Sequence, residues 1–491
     1  MGGVSEDMKR VIRLGGMVVV MLSLMLCQPV FAAELQKDFS VQKAVVFTLD
    51  ASNSMNGNDR NRLAIDSIAQ LIYSLPSNYS VGLVAYNTDV VAASGMVGSD
   101  GRDSIMEAAN AIRYTGYTNA GAGLTRAMEL LDSIEASQKT VVMLSDGEIV
   151  MQNDAATAAS SSQFQNAVSA AKESGTVIHV IGLGSDMENT ANTIFSASAE
   201  TGGSNYHAPR AGDIQQAVDA ILLDQLNVKK TTAAVVDADG GTEELDITIP
   251  SANASTVRIL FISDSPIRNL VADFNAGSVR QVSGTHYTLL ELASPTAENV
   301  HVRFQGEAGS QVNVDVVTEY NVAMVPKVTY EDVEPEDAEA ANYDRTAQIS
   351  LAFYDAENPE RQVLTDAAFE GRSISGTVGG QAWTGRFCPG SVALPPVSGL
   401  AEDRIEQITV SFDNLETNVI TQQPLAVSLE GAPALPEAPD YRPVIIGGAA
   451  GALLLILLAV YLAAGQSSKK AEVHSGPATS GPKQIQLYRP P

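Results

Sequence analysis

The chain has 491 residues, enough for several domains, and 45% of them are apolar, so it can bury more than one core. A formal net charge of −27 leaves no basic stripe to track phosphates, which argues against nucleic acid as a partner. Of the two cysteines, Cys27 lies in the leading apolar segment and only Cys388 lies beyond it, so the body of the chain is held by its cores or by metal rather than by disulfides.

In chain order, Lys9, Arg10 and Arg13 precede the apolar stretch Leu14 to Cys27, and Val30-Phe31-Ala32 has the small-residue spacing of a cleavage site. Residues 1–32 are therefore expected to be a secretory signal peptide. Apolar runs at Ala44 to Leu49, Ser80 to Ala85, Thr140 to Leu144 and Val177 to Gly182 then alternate with helix-period segments. The latter lie at Arg60 to Ser74, Ser104 to Ile112, Gly123 to Ser133, Ala158 to Glu173 and Asp213 to Leu226. Such alternation predicts a parallel sheet covered on both faces, a doubly wound, Rossmann-like α/β domain over residues 43–227. Asp89 to Ala93, close behind the turn at Tyr86 to Thr88, predicts an antiparallel edge strand on the same sheet.

Two of the apolar runs end in carboxylates. Asp50-Ala51-Ser52-Asn53-Ser54 follows the first and sets one carboxylate and two hydroxyls at alternate positions; Asp146-Gly147 follows the third. Between them, Tyr117 to Leu124 is a small-residue loop that carries Thr118 and opens a helix-period segment. In a doubly wound sheet, ligands bind beyond the carboxyl ends of strands where the strand order reverses. If the strands before Asp50 and Asp146 are neighbours there, Asp50, Ser52, Ser54, Thr118 and Asp146 converge into one oxygen-lined hollow, suited to a hard cation.

These residues resemble the von Willebrand factor A family and its metal-ion-dependent adhesion site. The family's D-x-S-x-S is matched by Asp50, Ser52 and Ser54, its loop threonine by Thr118, and its later aspartate by Asp146. The resemblance spans about Lys43 to Leu226. It implies a divalent cation, Mg²⁺ first, with Mn²⁺ and Ca²⁺ as alternatives, held so that one position stays open for an acidic residue of a protein partner. Two carboxylates and three neutral hydroxyls neutralise such an ion without completing its shell, so it still attracts a third negative charge.

From about Val228 the pattern changes to short alternating runs between Gly, Ser, Asp and Pro turns. Residues 228–321 are expected to form a β-sandwich module and 322–430 an immunoglobulin-like β module, the latter without a Cys-Trp-Cys core. The acidic run Glu331 to Glu339 is expected to be a solvated loop. Residues 431–443, with Pro433, Pro436, Pro439 and Pro443, predict a semi-stiff linker.

Residues 444–464 carry no charge and are long enough to cross a hydrocarbon core of about 30 Å, which predicts a transmembrane helix. The tail, residues 465–491, is net basic, so a single-pass type I orientation follows, with the tail cytoplasmic and the body in a periplasm or outside the cell. Gly447 and Gly451 form a G-x-x-x-G step that could pair two such helices into a homodimer.

No H-E-x-x-H, P-loop or G-x-S-x-G pattern is present, and no enzyme is expected. The sequence therefore reads as a membrane-anchored, cation-dependent protein-binding protein of adhesion or assembly. Its rivals are a structural subunit of an envelope complex whose metal only braces the loops, and a regulator that presents a substrate to a separate enzyme.

Overall fold

The computed structural model describes residues 43–184, 193–209, 211–249, 254–274, 276–295, 299–336, 342–356, 369, 371–387, 391–412, 415 and 417–435. The expected signal peptide (1–32), transmembrane helix (444–464) and tail (465–491) lie outside them, and the linker is described only to residue 435. Among the described residues no helix is long and apolar enough to cross a membrane.

Six strands build the first sheet: β1 (Lys43–Asp50), β2 (Tyr79–Tyr86), β3 (Val90–Val97), β4 (Gln138–Ser145), β5 (Val177–Leu183) and β6 (Asn205–Ala208), in the order β3-β2-β1-β4-β5-β6. All neighbours are parallel except β2 and β3, so the strand expected at the edge is there and is antiparallel. The chain leaves β1 towards β2 on one side and returns to β4 on the other, so the strand order reverses between β1 and β4. Asp50 ends β1 and Asp146 follows β4, at neighbouring carboxyl ends.

Helices α1 (Leu63–Ser74), α2 (Arg102–Ala111), α3 (Ala120–Asp132), α4 (Asp154–Ser174), α5 (Thr193–Thr201) and α6 (Ala211–Ala220) cover the two faces, and a π turn, Ile221–Gln225, continues α6. Alternate residues of each strand face opposite cores because side chains in a strand point to opposite sides. Val45, Phe47 and Leu49 of β1 pack with α1, α2 and α6, whereas Ala44 and Val46 pack with α3 and α4. Helix α1 starts at Leu63 rather than Arg60, because Arg62 adopts a left-handed backbone (φ 59°) and the Asp59 carboxylate accepts the Ala64 N–H at 3.3 Å. Helix α4 is longer than its apolar period, since Asn153 caps its first turn by accepting the Ala156 N–H and Gly175 ends it with φ 72°.

Sixteen further strands follow: β7 (Thr231–Asp237), β8 (Glu243–Thr248), β9 (Thr256–Ser263), β10 (Arg268–Asp273), β11 (Ala276–Ser283), β12 (Tyr287–Pro295), β13 (Asn299–Gln305), β14 (Gln311–Val333), β15 (Asp344–Asp355), β16 (Ser373–Val378), β17 (Gln381–Arg386), β18 (Ser391–Ala393), β19 (Val397–Ser398), β20 (Arg404–Ser411), β21 (Asn418–Ile420) and β22 (Leu425–Leu429). They form a sheet β10-β13-β8, a sheet β17-β16-β20-β22 and a nine-stranded sheet with the path β11-β12-β9-β14-β15-β18. The expected division at residues 321 and 322 falls inside β14, which pairs with β9 through its first half and with β15 through its second. Glu331 to Val333 belong to the end of that strand, paired with Asp344 to Thr346, so the acidic run begins as strand rather than as loop. One apolar cluster runs through both halves, from Phe261 and Phe304 to Phe353, Phe387 and Trp383.

The face of the first sheet that carries α1 and α6 shares its core with the β region: Leu260, Ile262, Tyr287, Leu289 and Val317 join Phe47, Leu71 and Val218. Buried charges lie beside that core. Arg258 bonds Glu291 at 2.8 Å and Glu319 at 3.2 Å, and Glu319 also accepts the Ser77 N–H at 2.8 Å. Of the described residues, 335, 336, 342, 343 and 433–435 fall into a second unit, in which the Tyr343 N–H donates to the Pro433 carbonyl.

Candidate metal centre

Three loops meet at the carboxyl ends of β1 and β4. Asp50 is fully buried; its Oδ1 accepts the Ser52 N–H at 2.9 Å and its Oδ2 accepts the Ser145 hydroxyl at 2.8 Å. The Ser52 and Ser54 hydroxyls lie 2.9 Å apart, and Ser54 Oγ donates to Asp146 Oδ1 at 2.9 Å. The two serines thus link the carboxylates, Ser52 through its backbone N–H on Asp50 and its hydroxyl on Ser54, and Ser54 through its hydroxyl on Asp146. Asn58, on the single helical turn Met55–Asn58, closes the far side by donating from Nδ2 to Asp146 Oδ2 at 2.9 Å.

The third loop is tied in by its backbone. The Thr115 N–H donates to the Ala51 carbonyl at 2.8 Å, the Asn53 N–H to Gly116 at 3.1 Å and the Thr118 N–H to Val150 at 2.8 Å. Thr118 is buried, and the next residue, Asn119, caps α3 by accepting the Ala122 N–H. Two glycines explain the small-residue run. A Cβ at Gly123 would sit 2.2 Å from the Tyr86 ring, and one at Gly121 2.2 Å from the Ser160 carbonyl oxygen. Gly116 has φ +78°, a conformation that side chains disfavour.

Burial and the neighbouring Asp146 charge push Asp50 up to about 7, against the lowering by hydrogen bonds from Ser52 and Ser145. Two carboxylates brought together out of water are costly unless a cation or a proton joins them. The donors are all oxygen, so the residues fit a hard divalent ion. Asp50, Ser52, Ser54, Thr118 and Asp146 are the side chains that could hold it.

Hydrogen bonds link four of the five residues expected from the sequence, and backbone bonds place the loop of the fifth, Thr118, beside them. Three supporting residues were not expected: Ser145, Asn58 and Tyr86. Ser145 could have been noticed as the residue before Asp146; nothing in the sequence marks Asn58. The Tyr86 hydroxyl is wholly buried, and burial with the Asp50 charge holds its proton well above the usual tyrosine range. Beside the site, Tyr114 donates to Asp59 at 2.6 Å, and burial raises Asp59 to about 6.

A six-stranded α/β domain with two buried carboxylates and two serine hydroxyls beside its strand reversal defines a doubly wound class of domain with a candidate cation site. Residues 44–220 match the family model of the von Willebrand factor type A domain. A curated relative, the uncharacterized protein YfbK of Escherichia coli (strain K12), is 25% identical over 164 residues, which is 33% of this chain and 28% of YfbK. Among solved structures, a von Willebrand factor type A protein from Catenulispora acidiphila is 14% identical with a TM-score of 0.33, covering 64% of this chain and 63% of its own. The PilB minor pilin from Streptococcus sanguinis is 18% identical with a TM-score of 0.31, covering 37% of this chain and 60% of its own. The chain thus spans little more than a quarter of the curated relative it matches.

Proposed function

We propose that the A domain binds another protein through a divalent cation held by Asp50, Ser52, Ser54, Thr118 and Asp146, with an acidic side chain of the partner completing the ion's shell. The observation that carries this reading is that hydrogen bonds through Ser52 and Ser54 join two buried carboxylates at neighbouring strand ends. The metal supplies an open, electrophilic position; the chain's own side chains orient it and keep its charge only partly neutralised. Mg²⁺ is the preferred ion on the all-oxygen donor set, with Mn²⁺ and Ca²⁺ as alternatives.

We further read the molecule as non-enzymatic and membrane-anchored through residues 444–464, with residues 1–32 as its signal peptide and 465–491 as its cytoplasmic tail. The A domain and the β region share a core, which supports a stiff support for the binding site rather than a freely jointed one. The test is chemical cross-linking of the anchored chain in its native membranes with Mg²⁺ or with EDTA. Adducts that need Mg²⁺ and vanish in Asp50→Ala, a variant that stays folded at the assay temperature, support the reading. Loss of stability alone in that variant supports a bracing metal instead.

A further inference from the structure

Two of the large apolar side chains that the A domain exposes stand on the rim of the metal centre. Tyr117 is 44% exposed and Val150 is 53% exposed. They flank Thr118 from two loops: Tyr117 precedes it in sequence, and Val150 is bridged to it through the 2.8 Å bond from the Thr118 N–H. Gly116, on the other side of Tyr117, is bonded to Asn53, so both apolar residues belong to the loops that frame Ser52 and Ser54.

The charge of the same rim is unlike that of the chain. The sequence holds 57 acidic residues, yet beyond Asp50 and Asp146 the three loops, residues 51–58, 114–123 and 147–153, carry a single charge, Glu148. Exposed Asn53, Asn56 and Asn58 occupy places where acids would repel an incoming carboxylate. Glycines 57 and 147 leave open space around the entrance, since a Cβ at either would meet nothing within 4 Å. A neutral collar on an acidic molecule lowers the repulsion that an acid-bearing partner must overcome.

We propose that the partner presents its acid next to an exposed apolar side chain, in one short segment, so that the acid enters the metal position while the apolar group covers Tyr117 and Val150. This specificity rests on the metal-bridge reading and adds to it a second contact that the metal alone does not supply. An aromatic and a branched aliphatic side chain half in water gain most from being covered, whereas neutral amide side chains tolerate either neighbour.

The probe is a display library of linear peptides with one fixed glutamate and randomised flanks, panned on the purified full chain with Mg²⁺ and eluted with EDTA; a fixed-glutamine library is the control. The expected result is enrichment of Leu, Ile, Phe or Tyr beside the glutamate. The double variant Tyr117→Ser/Val150→Ser loses that enrichment and binds the selected peptides about tenfold more weakly, with Mg²⁺ titration and melting unchanged. Glutamate-dependent peptides with no apolar preference, or a preference that the variant keeps, overturn the inference and leave the metal bridge standing. A wild-type chain that retains no glutamate-dependent, EDTA-eluted peptide overturns both.

Discussion

Ser54 donates its hydroxyl to Asp146 at 2.9 Å although 92 positions separate them in the sequence. That bond joins the loop after β1 to the loop after β4, and it exists because the two strands are parallel neighbours at the point where the sheet reverses. The site is therefore a product of topology, and its chemistry can be tested residue by residue.

Asp50→Asn keeps the shape of the side chain and its acceptor for the Ser52 N–H but removes the charge. Without metal, the variant at pH 8 should melt a few degrees above the parent, because a buried charge held against Asp146 is gone. With millimolar Mg²⁺ the parent should gain stability and the variant should not, as scanning calorimetry would show. Equal metal stabilisation of both proteins contradicts the role given to Asp50.

The pH dependence has a definite sign. Asp50 takes up its proton more readily folded (about 7) than unfolded (about 3.8), so its contribution to metal-free stability is complete below about pH 4 and is lost as pH rises through about 7. The same proton competes with the metal. Apparent Mg²⁺ affinity should fall by about tenfold per pH unit below about 7 and level off above it. His179 runs the other way: burial lowers it to about 4, so it favours the fold above about pH 6.5 and opposes it on acidification. A metal affinity that stays flat from pH 5 to 8, in a titration at fixed ionic strength, would remove Asp50 from the ion.

Gly123→Ala places a methyl group 2.2 Å from the Tyr86 ring, behind the metal loops. The ring must move or α3 must shift, at a cost of about 1–3 kcal/mol, and either displacement reaches the loop of Thr118. Chemical denaturation should show the loss, and Mg²⁺ affinity should fall with it. Gly57→Ala, whose methyl group meets open space, is the matched control and should change neither.

Arg258→Leu leaves Glu319 buried without its guanidinium partner. Removal of one member of a buried pair costs about 3–5 kcal/mol, so this single change in the β region should lower the unfolding midpoint of the A domain as well, because Glu319 also holds the Ser77 N–H. Tryptophan fluorescence of Trp383 and the melting of the α/β domain would then move together. Independent transitions would contradict a shared core.

Much of the first domain is legible in the sequence because its strands are short apolar runs closed by polar loops, and Asp50 and Asp146 stand at the ends of two of them. Helix α5 and strand β6 escape this reading, since β6 has only four residues, half exposed, and α5 is small-residue rich with little apolar period. Register and strand order are set by packing between distant segments, so the neighbourhood of β1 and β4 could be expected only from the doubly wound rule. In the β region, alternation marks a strand-rich texture but not the boundary: β14 keeps its period through residue 321, and nothing local marks the point where its partner changes from β9 to β15. Asn58 was invisible for a related reason, because a neutral surface asparagine gains meaning only from the carboxylate that the fold brings beside it.

Isothermal titration of the purified, metal-stripped chain with Mg²⁺, run beside the Asp50→Ala and Asp146→Ala variants at pH 8, tests the central claim most directly. One ion bound per chain in the parent and none in either variant, with all three proteins folded, is the predicted result. Parent protein that takes up no divalent ion, or variants that bind it as tightly as the parent, would contradict it.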